Sequence, residues 1–349
     1  MNFNKKVFHG ILNYGTQAGF ISKGLREIGI QTLSVSKKDK YKRHIDIELK
    51  AGGNYLQRKS KQLSNAIFLI RCFLKYDIFH FYSGRTLLWG QIDLYFYRLF
   101  RKKVVMHYLG NDVELYEWSV KNYEITNMQE MMSPEEGKIH DEKIRKRREF
   151  EDKFIDKSVV CAPQYSPFVE NTDFIPLALD LGKFEYTPLP KMKNEVLRVL
   201  HAPTNRKKKG TSHLLAAIER LKKENYKIEL DLCENITHAE LIRRYKHCHV
   251  SVVALLGGWY GTAGIEAMAI GRPIITFLRP SLFKYTDLKE EEIPIISAHK
   301  NSIYTKLKEI LDGKYNLQDL SLKSREFVLE THDYKKISKR FLEIYKQLY

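Results

Sequence analysis

Short apolar runs rich in branched and aromatic residues alternate with longer amphipathic stretches along the whole chain. Lys6–Leu12 reads as a strand, Asn13–Gly19 as a polar turn, and Phe20, Ile21, Leu25 and Ile28 recur at helical spacing. Gly29 stops that helix, and Gln31–Val35 begins a second strand. The pattern predicts further strands at Asp77–Phe81, Lys103–Tyr108 and Ser158–Ala162, and from Phe174, with helices over Gln62–Tyr76 and Leu87–Phe100. Lys37–Arg43 is a charged loop, and Met131–Lys157 an exposed helix of alternating sign. After a proline-bearing stretch the order restarts. Strands are expected at Val196–His201, Ile228–Leu232, Val250–Leu256, Arg272–Phe277 and Ile293–Ile296. Helices are expected from Thr211 or Ser212 to Lys223, over Thr237–Cys248, and finally over Asn301–Leu311, Leu320–Glu330 and Tyr334–Tyr349. Strand, turn, helix, strand is the order of α/β folds with parallel sheets.

A chain of 349 residues is long for one core, so two domains are expected. Pro176, Pro188 and Pro190 punctuate the middle, which places a linker between Asp180 and Asn194. The expected division is 1–180, then 195–333, then a closing helix 334–349 that packs back on the first domain. No run reaches the roughly 18 to 20 apolar residues of a membrane span, and the N-terminus has no apolar stretch of signal-peptide length. Cys72, Cys161, Cys233 and Cys248 form no CxxC pair, which predicts reduced thiols and a cytoplasmic protein.

The chemistry concentrates in Leu255–Ile275. An apolar strand runs into Gly257, Gly258, Gly261 and Gly264; a short helix follows, and Gly271 and Pro273 end it. Thr262 is the expected N-cap. Such a loop aims backbone N–H groups and a positive helix end at one place, which suits a phosphate. Glu266 sits one turn inside, where a carboxylate reaches sugar hydroxyls. After an earlier strand, Arg206 and Lys207–Lys209 occupy a basic turn. Together the two loops offer donors to one diphosphate. Gly15, His80, Ser83, Gly110 and Asp112 fall at strand ends of the first half, where α/β sheets bind ligands. The first turn lacks a full GxGxxG, so no dinucleotide cofactor is expected, and no strand-end aspartate pair suggests a metal. The net charge of +17 points to an anionic partner. No helix-turn-helix, zinc-finger or RNP signature supports nucleic acid. Arg145, Arg147 and Arg148 offer a further anion site, or a solvated face.

These residues bring a family into view. Gly261-Thr-Ala-Gly-Ile-Glu266-Ala-Met-Ala-Ile-Gly271-Arg-Pro273 resembles the signature of the GT-B glycosyltransferases, in particular the retaining family 4. Lys209-Gly210, the His238–Val250 segment and Ile175–Phe184 are similar to further motifs of that family, in the same order. The resemblance implies a GT-B fold: two facing Rossmann-like domains, a donor cleft between them, and a C-terminal helix crossing back. It implies transfer of a sugar from a nucleotide diphosphate donor, with retention, to a saccharide or lipid-linked saccharide, as in surface polysaccharide synthesis. Glu266 would bind the donor ribose. Arg206 and Lys209 would hold the diphosphate and stabilise the leaving group. Gly261, Thr262, Ala263 and Gly264 would add backbone donors, and Gly15 would border the donor. Thr16, Gln17 and Asp112 would face the acceptor, and His80 or His107 would stand near the transferred sugar.

Four positions depart from the family pattern. Gly258 stands where a first glutamate is usual. Arg206 precedes Lys209 by only three positions, so Asn205 competes for its role. Leu109 replaces a histidine, which leaves His80 and His107 as rivals. His249 also stands where an aspartate is usual. Alternatives of the same architecture are a nucleotide-sugar epimerase and a binding protein without catalysis. Tyr41-Lys42-Arg43 and Tyr95–Lys103 are basic and aromatic, and suit peripheral contact with an anionic membrane.

Overall fold

The computed structural model describes residues 3–37 and 44–349; Tyr41-Lys42-Arg43 and most of the Lys37–Arg43 loop lie outside the described residues. The chain divides into two compact units. One comprises Met1–Glu114, Glu142–Leu179 and Asp333–Tyr349; the other comprises Leu115–Asp141 and Asp180–His332.

The first unit holds strands β1 (Val7–His9), β2 (Thr32–Ser36), β3 (Ile47–Glu48), β4 (Ile78–Tyr82), β5 (Lys103–Tyr108), β6 (Lys157–Val160) and β7 (Thr172–Phe174). They form one sheet in the order β3-β2-β1-β4-β5-β6-β7, with each neighbouring pair parallel. Burial on both faces explains why β4 reads as an unbroken apolar and aromatic run. Helix Gln17–Glu27 packs against helix Tyr334–Lys346 at close range: a β-carbon on Gly24 would stand 2.3 Å from Ser338 Oγ, and that hydroxyl donates to Ile21 O at 3.1 Å.

The second unit holds β8 (Leu197–His201), β9 (Ile228–Leu232), β10 (Val250–Ala254), β11 (Ile274–Thr276) and β12 (Ile295–Ser297). Its sheet runs β12-β11-β10-β8-β9, again parallel. The core joins Val199, Val250 and Val252 of the sheet to Leu214, Ile218 and Leu221 of helix Thr211–Lys223. Fully buried Arg272 donates to the carbonyls of Thr187, Pro188 and Cys248, tying the proline-bearing segment to the domain.

Several boundaries differ from the sequence reading. The expected helix Gln62–Tyr76 starts a turn and more earlier, at Tyr55, because Asn54 and Gln57 form a capping box. Leu87–Phe100 is α-helical only over Leu94–Leu99, after a short 3-10 turn at Trp89–Gln91. Gln91 and Gly90 take positive φ there and break the run. The short helices Tyr116–Asn122 and Asn127–Met131 were not read from the sequence. Asp141 caps the first of them, accepting from the N–H groups of Tyr116 and Glu117. All four cysteines are free and buried.

Candidate functional site

In the second unit the order reverses between β8 and β10: the chain leaves β8 toward β9 on one side and returns to β10 on the other. Ligands of open α/β sheets bind beyond the strand ends at such a switch point. The two loops singled out by sequence leave these two strands. After β8, Asn205 caps the turn Arg206–Lys209 by accepting from Lys208 N at 2.9 Å. Gly210 then reverses the chain at φ +74 into the next helix. After β10, Leu255 N donates to Lys209 O at 3.1 Å, so the loops are joined directly.

Helix Thr262–Ile270 begins with Gly261, not Thr262, as its N-cap. Gly261 brings no capping side chain, and a β-carbon there would meet no atom within 4 Å. The N–H groups of Gly264 and Ile265 return to Gly261 O; those of Thr262 and Ala263 have no partner among the described residues. Two open donors and a helix N-terminus therefore face free space. Gly271 closes the helix at φ +91.

Glu266 lies in the first turn and a half of this helix, its side chain 12% exposed and 3.0 Å from His238 Nε2. Tyr245 OH reaches Ala263 O at 3.2 Å and fixes the helix start against helix His238–Tyr245. Arg206 is engaged by Glu234, with Nε donating to Oε1 at 2.9 Å. Lys209 differs. Half-buried, it has no ion pair among the described residues, and burial, with the Lys208 charge second, pulls its amine down to about 8. Of the two expected diphosphate ligands, Lys209 is thus the cation with unspent charge. His201 at the end of β8 is structural: Nδ1 and Nε2 meet Val252 O and Thr211 Oγ1 at 2.8 and 2.9 Å. His249, where the resemblance expects an aspartate, accepts Arg198 N at 2.8 Å.

Sequence reasoning missed Arg279. Gly258 has φ +92, and a β-carbon on it would stand 2.6 Å from Arg279 Nη1. Arg279 N donates to Gly258 O, its Nη2 donates to Ile125 O at 2.7 Å, and its guanidinium lies 3.6 Å from the Tyr123 ring centroid. The position expected to carry a carboxylate is thus covered by a cation. Tyr123 and Ile125 belong to the segment whose return to this unit the sequence pattern did not reveal.

The remaining predicted residues lie in the first unit. Gly15 and Thr16 both take positive φ in the turn after β1. Gln17 is fully buried and its amide is used up on Gly15 O, Ala178 O and Ala178 N, so it presents nothing to an acceptor. Asp112 follows β5. Burial raises its carboxyl to about 6, and Oδ2 has no hydrogen-bond partner among the described residues. His80 and His107 are fully buried. They sit beneath helix Tyr334–Lys346, with Tyr345 OH 2.6 Å from His80 Nδ1 and the Phe341 ring 5.3 Å from that of His107. Both rings are enclosed by protein on this side of the sheet. Arg147 and Arg148 are spent on Asp112 O, Glu151 and Asp152. Among the described residues no three His, Cys, Asp or Glu side chains are grouped to hold a metal.

No family model matches the chain, and no curated protein matches it. Solved structures do. Sucrose-phosphate synthase from Thermosynechococcus elongatus superposes with a TM-score of 0.63 at 16% identity, covering 99% of each chain. HepE from Anabaena, solved with UDP and glucose, gives 0.58 at 13% identity, covering 99% of this chain and 100% of that one. S. aureus MnaA, solved with UDP, gives 0.53 at 14% identity, covering 99% and 98%. The fold is that of the GT-B class, two parallel-sheet α/β domains.

Proposed function

We propose that this chain is a glycosyltransferase that uses a nucleotide diphosphate sugar. The observation that carries the reading is the corner at the β8–β10 switch point. There the open N–H groups of Thr262 and Ala263, the unpaired Lys209 ammonium and the Glu266 carboxylate come from two directly joined loops. Departure of a nucleoside diphosphate builds negative charge, and fixed donors aimed at that charge lower the barrier. In this reading Lys209 and the helix start hold the diphosphate, with Arg206 joining once released from Glu234, and Glu266 accepts from ribose hydroxyls. Similarity in fold to proteins solved with UDP supports the donor class. Family 4-like hexosyl transfer with retention, and a saccharide or lipid-linked saccharide acceptor in surface polysaccharide synthesis, complete the proposal. Thr16 and Asp112 are its acceptor-side residues, Gly15 borders the donor, and the protein works on the cytoplasmic side of a membrane.

A second reading, a nucleotide-sugar binder without transfer, is favoured by one observation: Arg279 covers Gly258, where the resemblance expects a carboxylate. A thermal-shift screen of nucleotide sugars, followed by a radiolabelled-donor assay with saccharide and lipid-linked acceptors, separates the two. A stabilising donor that is consumed supports transfer. A donor that binds and is never consumed supports the second reading, and no stabilising donor at all defeats both.

A further inference from the structure

Helix Tyr55–Lys75 is amphipathic the wrong way round. Its one buried residue is Cys72. Leu56, Leu63, Ile67, Ile70 and Leu74 recur seven, four, three and four positions apart, which puts them on a single helical face. All five are exposed, Leu56 at 77%. A stripe that would normally seek a core looks into solvent. The helix carries Arg58, Lys59, Lys61, Arg71 and Lys75 and no carboxylate. A second exposed apolar group adjoins it. Phe73 lies 5.4 Å from Phe100, edge-on, and 5.4 Å from Tyr97, tying the helix end to the 88–100 segment. There Trp89 is 91% exposed and Leu99 72%, with Ile92, Phe96 and Phe100 also open. The one acidic residue of that segment, Asp93, is buried and held by Thr86 and Leu87 N.

Contiguous exposed apolar surface marks an interaction site. The occupant follows from charge. Lys59, Arg71, Lys75 and Arg101 have no ion pair among the described residues, and no exposed carboxylate interrupts the stripe. A second copy would bring like charge against like. A nucleic acid satisfies the cations and leaves the aliphatic stripe without a partner. Aliphatic side chains flanked by lysine and arginine, with a projecting tryptophan, match the acyl–headgroup boundary of an anionic bilayer. We infer that the outward face of helix Tyr55–Lys75, together with the Trp89–Phe100 segment, docks on an anionic lipid surface. No helix among the described residues is long and apolar enough to cross a membrane, so the contact is peripheral. The inference gives the membrane contact of the proposed function a defined surface, and it does not depend on the donor site.

The test is co-sedimentation of the full-length protein, without nucleotide, with phosphatidylglycerol-containing vesicles and with pure phosphatidylcholine vesicles. Binding to the anionic vesicles, weakened by salt and accompanied by a blue shift of tryptophan emission, is expected. Trp89→Phe should abolish the shift and leave most of the binding. Lys59→Gln with Arg71→Gln should weaken binding about 25-fold, at about fivefold per basic residue. Leu63→Ser with Ile70→Ser, both on the solvent face and so harmless to folding, should weaken it roughly tenfold or more. Failure to bind anionic vesicles at low salt overturns the inference. So does binding that ignores the two serines, or a preference for duplex DNA over vesicles. A donor-binding measurement on the same serine variant should be unchanged, which separates failure of this surface from failure of the proposed function.

Discussion

The guanidinium of Arg279 occupies the space that a side chain on residue 258 would need: Nη1 lies 2.6 Å from the β-carbon position of Gly258. Gly258 also takes φ +92, a conformation that costs an ordinary residue roughly 1 to 2 kcal/mol before any clash. Gly258→Glu is therefore expected to destabilise the protein by about 2 to 4 kcal/mol rather than install a working carboxylate. Arg279→Ala alone should also destabilise, since it removes the contacts to Tyr123 and Ile125. The double variant should be less destabilised than the sum of the two, because the clash disappears with the arginine. Denaturant midpoints of the four proteins in the cycle decide this. Strict additivity would show that Arg279 does not hold position 258 open.

Glu266 carries the most specific role in the proposed donor site, and its geometry separates binding from stability. Its side chain is nearly buried, and it pairs with His238 on a neighbouring helix. Glu266→Ala should weaken nucleoside diphosphate binding by roughly 10- to 100-fold, in the range of one or two charge-assisted hydrogen bonds. The thermal midpoint of the unliganded protein should move little, since the pair involves a mostly exposed histidine. Calorimetry with a panel of nucleoside diphosphates reads the first, and a thermal melt the second. Unchanged affinity would remove Glu266 from the ribose.

Lys209 trades stability for charge. Its folded pKa, about 8, lies below the ordinary lysine value of 10.5. The stability linked to this depression is fully present above pH 10.5 and is lost as pH falls through 8, because the folded state resists protonation. Lys209→Met should therefore stabilise the unliganded protein at pH 7, by up to about 3 kcal/mol. It should also weaken diphosphate binding. In the native protein, affinity should hold steady up to pH 8 and fall by up to tenfold per pH unit above it, as the unliganded protein loses the ammonium. The methionine variant should show no such fall. A pH-independent affinity in the native protein would remove Lys209 from the phosphate.

The corner proposed to hold the donor was legible because its requirements are local. Four glycines, a helix start and a basic turn are contiguous in sequence, and apolar runs placed β8 and β10 correctly. The contacts that decide what the corner can do were not local. Arg279 reaches Gly258 and Ile125 across long stretches of chain, and Tyr123 joins them from a segment that leaves the first sheet after β5. No periodicity encodes such meetings. The surroundings of the histidines were hidden for a related reason. His80 and His107 stand on strands, where polar residues suggest a ligand, but the helix that covers them begins more than 200 residues later. The solvent-facing stripe of helix Tyr55–Lys75 shows the converse limit: helical spacing finds the face and cannot say whether protein or something else covers it.

Those histidines make the last prediction. His9 on β1 pairs in register with His80 on β4, and His107 on β5 pairs with Tyr82. The three rings share one face of the sheet, with centroids 4.8 and 5.5 Å apart in sequence, beneath Phe341 and Tyr345. Burial first of all holds His9 and His107 near 3 and His80 well below its usual value. A histidine depressed in the folded state contributes stability that is complete above pH 6.5 and drains away as pH falls toward the folded value. Each of His9 and His107 costs about 1.4 kcal/mol per pH unit in that window, so at pH 5 the two together remove roughly 4 kcal/mol, and His80 acts in the same direction. Urea unfolding between pH 7 and 4.5 should show stability falling with a limiting slope near three protons. His107→Phe should reduce that slope by about one proton, since both its ring nitrogens lack partners. The same variant decides its role in chemistry. A packing residue leaves donor turnover largely intact, whereas loss of turnover with the fold preserved would return His107 to the transferred sugar.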